Sequence, residues 1–215
     1  MNIKSEISRQ YQVLQNVFIY LQIPAFLILL FVLFLKLKFD IDTGNFTRDS
    51  NGVAHQPIYI GLVSNLGILF WCASATISLF TGWAGRKKGA SSIESFLVYS
   101  GILSSILLLD DLLQLHEEFF PNVLRVPEEL VLVFYGTLAI AIFYRYRKII
   151  LTTNYLILLT CALFFGLSIA IDIFFPELPG ESLIEDGAKF TGVLTWFGYY
   201  ASIGYETIKQ KRVAE

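Results

Sequence analysis

The sequence predicts an all-α integral membrane protein, a bundle of six transmembrane helices with both termini in the cytoplasm. Three observations favour this fold class. Hydrophobic residues make up 55% of the 215 residues and charged residues only 16%, with a mean hydropathy of +0.60. Six apolar runs follow one another, most of them near the roughly 20 residues that a helix needs to cross a bilayer. Basic residues concentrate on one side of these runs, as in multi-pass membrane proteins.

The six apolar runs are separated by short polar loops. They are residues 17–35, 58–79, 93–115, 130–144, 155–175 and 190–205. The first run is too long for the core of a signal peptide and lacks a small-residue cleavage site after it, so we expect it to remain as a span. Because the loops are short, we expect residues 1–215 to form a single polytopic transmembrane domain.

Local signals indicate where several of these helices begin and end. Lys36 lies at the end of the first span, where its long side chain can reach the headgroup layer. Pro57 and Pro127 suit the first turns of the second and fourth helices, where the N–H that proline lacks would be unused. Ser182 and Glu185 have the spacing of a capping box and predict the start of the sixth helix.

The orientation follows from the distribution of charge, because short cytoplasmic loops retain lysine and arginine. With both termini inside, 11 of the 16 basic residues lie on the inner side. Of the 18 acidic residues, 14 lie in the outer half. The outer half is therefore strongly negative, although the formal net charge is only −2.

Two hairpins of the chain share a sequence pattern. Asp110 precedes Phe-Phe-Pro and then an acidic helix start at Glu128, and Asp172 precedes a second Phe-Phe-Pro and then Glu181. Membrane transporters are often built from internal repeats. The pattern is compatible with a degenerate parallel repeat of helices three and four with helices five and six.

The third helix carries the most unusual charges of the sequence. Residues 107–121 read L-L-L-D-D-L-L-Q-L-H-E-E-F-F-P. We expect one helix of about 27 residues, roughly 40 Å long, which places the paired aspartates in the outer leaflet. On a helical wheel, five side chains then share one face while His116 points elsewhere. The five are Asp110, Asp111, Gln114, Glu117 and Glu118.

The sixth helix carries a second polar stripe at similar depth. Glu185, Lys189, Gly192, Trp196 and Tyr199 follow the spacing of a single helical face. Charged residues inside a membrane protein are costly and usually functional, so we expect this face to lie against the protein interior or a cavity.

Together these stripes define a candidate site in the outer half, for which no catalytic residue is assigned. Its main residues are Asp110, Asp111, Gln114, Glu117, Asp172, Glu185, Asp186 and Lys189. Additional candidates are His116, Asn65, Glu118, His55, Trp196 and Tyr199. Carboxylates brought together must hold protons, a cation or the lysine. Oxygen ligands favour calcium or magnesium, whereas zinc requires more nitrogen or sulfur and the chain has only two histidines.

Three functions remain open from the sequence. The acidic cluster is a cation or proton site of an ion-coupled transporter or channel. Alternatively, it is the outward-facing site of a metal-dependent hydrolase or lipid-modifying enzyme. A third interpretation is a membrane subunit or scaffold whose polar residues hold helices together. The expected partners are the lipid bilayer and a small cation or lipid-like substrate, without nucleic acid.

Overall fold

A computed structural model describes residues 3–48, 50–85, 92–175, 177 and 179–214 of the chain. The protein is 86% helical, and these described residues contain no strand. Within the described part of the chain, four helices are long and apolar enough to cross a membrane, namely Ile7–Phe39, Leu62–Ala84, Ile93–Leu113 and Tyr155–Phe174. The predicted all-α fold, with several helices long and apolar enough to cross a membrane, is therefore confirmed. The count of six spans and the hairpin repeat stay predictions.

The chain divides into two compact units, Met1–Ile60 and Gly61–Glu215. The helices of the first unit are α1 (Ile3–Val17), a π-helical turn (Phe18–Gln22), α2 (Ile23–Phe39), α3 (Gly44–Thr47) and α4 (Ser50–Val53). Those of the second unit are α5 (Leu62–Ala84), α6 (Ser92–Leu113), a π-helical segment (Leu115–Leu124), α7 (Glu128–Arg145), α8 (Arg147–Ile150), α9 (Tyr155–Phe174) and α10 (Glu181–Ala214). The expectation of a single domain stays a prediction.

Helices α5 and α6 pack against each other in antiparallel directions through small residues. A Cβ atom at Gly82 would lie 2.8 Å from the Glu94 carbonyl oxygen, and one at Gly101 would lie 2.7 Å from Leu79 Cγ. Such close approach is typical of membrane helices, which associate through backbone proximity rather than hydrophobic transfer. The first half of α6 is thereby held close to α5, and the aspartates follow in its last turn.

Helix α10 packs against α5 and α9 and contributes the largest side chains of the core. Trp196, Tyr199 and Tyr200 are buried, and the Trp196 and Tyr200 rings lie 5.2 Å apart. A Cβ atom at Gly192 would lie 2.9 Å from the Phe165 ring, so glycine permits the contact with α9. This packing fixes the side of α10 that Lys189 occupies.

The third predicted helix is shorter than the sequence indicates. Helix α6 ends at Leu113, Gln114 adopts a left-handed conformation with φ of +51°, and the π-helical segment follows. The expected single helix of about 27 residues is therefore wrong. At the break, the Asp110 carboxylate accepts a hydrogen bond from the backbone N–H of His116 at 3.1 Å. This bond replaces the helical hydrogen bond that the N–H loses where the helix is interrupted. Residues after Gln114 consequently no longer share a helical face with Asp110.

Candidate functional site

The centre of the site is the buried carboxylate of Asp110, near the end of α6. Only 3% of this residue is exposed. Its Oδ1 atom accepts hydrogen bonds from the Tyr135 hydroxyl at 2.8 Å and from the His116 backbone at 3.1 Å. Its Oδ2 atom pairs with Nδ1 of the His116 ring. A buried carboxylate with three such contacts is well satisfied, so its orientation is fixed by α6, α7 and the π-helical segment.

His116 is a central member of the site, so the expectation that its side chain points elsewhere is wrong. The break at Gln114 turns the imidazole back to Asp110, and only 8% of the side chain is exposed. On the other side of the ring, Nε2 lies 3.4 Å from Glu117 Oε1 and 3.9 Å from Glu128 Oε1. Burial alone would lower the pKa of His116, but the hydrogen bond and charge of Asp110 outweigh it and raise the pKa.

The raised pKa of His116 predicts how stability depends on pH. A histidine whose pKa is higher in the folded than in the unfolded protein stabilises the folded state when it is protonated. This stabilisation is complete below pH 6.5, and it is lost as the pH rises through the pKa of the folded state. Near pH 6 we expect the free energy of unfolding of the parent protein to exceed that of His116→Gln by about 1.5–3 kcal/mol. This is the range for a hydrogen bond to a charged group. Thermal unfolding in mild detergent measures this difference.

The exposed His55 provides the matched control for that measurement. His55→Gln should change stability little at any pH, because the side chain is solvated. A stability difference between the parent and His116→Gln that grows above pH 7 would contradict the proposed role of the Asp110–His116 pair.

Asp111 joins three helices on the neighbouring side of α6. Its Oδ2 atom accepts the indole N–H of Trp71 from α5 at 2.9 Å, and Lys189 Nζ from α10 lies 3.1 Å from its Oδ1 atom. The aspartate side chain is 14% exposed and the lysine side chain 38%. Because the pair is partly shielded from solvent, its attraction is stronger than that of a surface ion pair.

A cavity of about 310 Å³ lies beside these two carboxylates within the second unit. Charged and polar side chains line one part of it, and aromatic and aliphatic side chains line the rest. The lining residues are Trp71, Leu107, Asp110, Asp111, His116, Glu117, Glu128, Leu132, Tyr135, Gly136, Ala139, Phe165, Ser168, Ile169, Asp172, Glu185, Asp186, Lys189 and Trp196. The cavity has the size and the mixed lining of a small-molecule site.

Further acidic residues from α9 and α10 reach the same cavity. Asp172 and Asp186 are exposed, and Glu185 is partly buried. Glu185 precedes the apolar part of α10. It lies close to two other acids, since single carboxylate oxygens of Asp172, Glu181 and Glu185 are within 4.8 Å of one another. Burial, the hydrogen bond with Glu181 and the charges of Asp172 and Asp186 raise the pKa of Glu185 to about 7.

Several sequence-predicted candidates do not line this cavity. They are Gln114, Glu118, Asn65, His55 and Tyr199. The first three are exposed, and Glu118 accepts a hydrogen bond from Asn122 at 2.7 Å. His55 belongs to the first unit. The Tyr199 hydroxyl lies 2.9 Å from Thr153 Oγ1 and has a structural role there.

Sequence reasoning missed four residues with polar groups that the structure brings to the cavity. Trp71 and Tyr135 hold the two aspartates, Glu128 approaches His116, and Ser168 lines the wall on α9. A signal existed for the two aromatic residues, since a buried indole N–H or phenol requires a partner. Many tryptophans and tyrosines in spans satisfy that need at the membrane interface, so the sequence does not separate the two cases.

The donor atoms around Asp110 and Asp111 decide whether a divalent cation fits there. Asp110, Asp111 and His116 each offer one ligand atom, and these atoms lie within 4.8 Å of one another. However, every oxygen of the two aspartates already contacts a donor, and Lys189 places a positive charge beside them. Calcium and magnesium require several free oxygen ligands. The paired oxygens of Asp110 and Asp111 therefore do not offer the free ligands that a divalent cation requires.

Comparison with known proteins adds one match. The family described as Domain of unknown function (DUF8692) matches residues 23–203. No curated protein and no solved structure matches the chain. Because the matching description states no activity, the function has to be argued from the contacts of the site.

Proposed function

We propose that this chain, which belongs to the DUF8692 family, is a proton-coupled membrane transporter. The groups that carry and exchange the protons are Asp110, Asp111, His116 and Lys189. Ionisable residues within a membrane protein that pair with one another and face an internal cavity are typical of proton pathways.

One observation carries this proposal: each of the two aspartates pairs with a basic side chain that bears a titratable proton. Asp110 faces His116 and Tyr135, and Asp111 faces Lys189. Closely coupled acids and bases titrate as a unit, so a proton taken up at one member is redistributed over the others. The cavity beside them supplies the route along which protons and a transported molecule reach the pairs.

A cation site is the second candidate, favoured by the short separation of ligand atoms from Asp110, Asp111 and His116. It requires the lysine to leave Asp111 when the cation binds, because one oxygen cannot face both charges closely. Calcium or magnesium movement without proton movement would support this candidate over the proton site.

The proposal includes six spans, with both termini in the cytoplasm and the cavity on the extracytoplasmic side. The distribution of basic residues supports this topology. We expect single cysteines replacing Lys148 and Gln56, in a background without Cys72 and Cys161, to lie on opposite sides. An impermeant thiol reagent added to intact cells should modify the cysteine at position 56 only. Modification of the cysteine at position 148 under these conditions would show that the orientation is the opposite of the one proposed.

The function itself is tested in sealed lipid vesicles that contain a pH-sensitive dye. An imposed potassium diffusion potential should drive protons into vesicles that contain the parent protein, and not into empty ones. The same measurement under gradients of sodium, calcium and magnesium tests whether proton movement depends on one of these ions. Vesicles with correctly folded protein that show no pH change under any of these gradients would rule out the proposal.

A further inference from the structure

We propose that the cavity binds an amphiphilic organic cation, with its charged head group among the acidic side chains and its apolar tail leaving between α7 and α9. This inference rests on the proposed transport function and specifies the substrate class of the same site. The charge, the aromatic lining, one hydroxyl and the side opening of the cavity support it.

The charge of the lining selects a positive ligand. Seven lining residues are acidic, namely Asp110, Asp111, Glu117, Glu128, Asp172, Glu185 and Asp186. Only His116 and Lys189 are basic, and both already contact aspartates. Clefts lined by one sign of charge attract ligands of the opposite sign. The surplus of carboxylates favours an ammonium group over a carboxylate or phosphate.

The aromatic lining supplies a surface that suits such a head group. Trp71 and Trp196 line the cavity with ring centroids 5.5 Å apart, and Phe165 stacks parallel to Trp71 at 6.0 Å. Both indoles are buried and pack against Phe165, so these rings form an apolar wall of the cavity. Alkyl groups on an ammonium can therefore contact this wall while the charge lies among the carboxylates.

Ser168 adds a polar group that a molecule in the cavity can reach. The residue is 7% exposed and lines the cavity, one helical turn before Asp172. Its hydroxyl makes no hydrogen bond to any residue that the structure describes. Buried hydroxyls normally have a partner, often the carbonyl four residues earlier in a helix. A bound molecule or water in the cavity would satisfy this group.

The cavity also opens sideways between α7 and α9. Gly136 and Ile169 line it and are nevertheless exposed, and a Cβ atom at Gly136 would meet no heavy atom within 4 Å. Helix α7 packs against α6 and the π-helical segment, and α9 packs along α10, whereas α7 and α9 make no extensive contact. In a bilayer such a gap faces lipid, so an apolar tail can leave through it without contacting water.

The test measures binding of octyltrimethylammonium to protein in lipid nanodiscs by calorimetric titration, with empty nanodiscs subtracted. The parent protein should bind it saturably at one site, and octyl sulfate, of equal chain length and opposite charge, should not bind there. Gly136→Leu fills the opening and should weaken binding at least tenfold. The control Gly166→Leu, at an exposed glycine of α9 that does not line the cavity, should bind like the parent.

A second variant keeps the test decisive if Gly136→Leu does not fold. Asp172→Asn removes an exposed lining charge and should weaken binding about two- to fivefold, as expected for one solvated charge pair. Equal binding of octyl sulfate, or unchanged affinity in folded Gly136→Leu, would overturn the inference. Proton flux by a parent protein that does not bind octyltrimethylammonium overturns this inference alone, whereas binding without flux overturns the proposed transport function.

Discussion

Asp110→Asn is expected to abolish proton movement in reconstituted vesicles and to leave the protein folded. Asparagine has the shape of aspartate and can still accept the Tyr135 hydroxyl, but it neither holds a charge nor exchanges a proton at physiological pH. The rate of dye acidification should fall roughly 100-fold or more, since proton-transferring side chains contribute at least that factor in enzymes.

The exposed Asp40 of the first unit provides the matched control for Asp110→Asn. Asp40 pairs with Lys36 at 2.6 Å, and its side chain is 92% exposed. It adopts a left-handed conformation that asparagine tolerates well, so Asp40→Asn should change neither flux nor stability measurably. Proton flux at the parent rate in Asp110→Asn would show that Asp110 is not part of the proton pathway. That result would favour a scaffold function for the buried polar network.

Lys189→Met is expected to destabilise the protein and to stop proton movement. Its removal leaves the Asp111 carboxylate without its positive partner, next to Asp110 on the same helix. Breaking a fully buried ion pair costs several kcal/mol, and because Lys189 is 38% exposed we expect a smaller loss, about 1–3 kcal/mol. Thermal and denaturant unfolding in mild detergent measure this change.

The double variant Lys189→Met with Asp111→Asn distinguishes electrostatic repulsion from lost packing. Removing both charges should recover most of the stability that Lys189→Met loses, because no unpaired carboxylate remains. Lys36→Met, which breaks the exposed pair with Asp40, should change stability by less than about 0.5 kcal/mol. If the double variant is as unstable as Lys189→Met alone, the lysine stabilises the fold through the packing of its aliphatic stem and not through its charge.

The polar residues on α6 and α10 show what sequence reasoning could identify. Asp110, Asp111 and Lys189 stand out because charges in apolar helices are costly and require a partner. That argument gives neither the pairing nor the geometry. Lysine pairs with Asp111, and Asp110 pairs with a histidine six residues later. Which acid meets which base depends on helix rotation and on the path of the chain after α6.

Gln114 shows why the remainder of the site could not be predicted. A left-handed residue is usually marked by glycine or asparagine, and glutamine gives no such signal. The wheel therefore placed His116 away from the acids and Gln114, Glu117 and Glu118 beside them. In the folded protein the buried carboxylate of Asp110 accepts the freed backbone N–H and the imidazole of His116, and this contact stabilises the break.

The sequence alone determined the helical membrane character of this protein, because apolar composition and span length are properties of short stretches of chain. It also determined that the end of α6 and the start of α10 carry costly charges. Only the tertiary structure decided that Trp71, Tyr135 and His116 hold the aspartates and that a cavity lies beside them. These contacts join residues from separate helices, and their geometry depends on packing that no local pattern specifies.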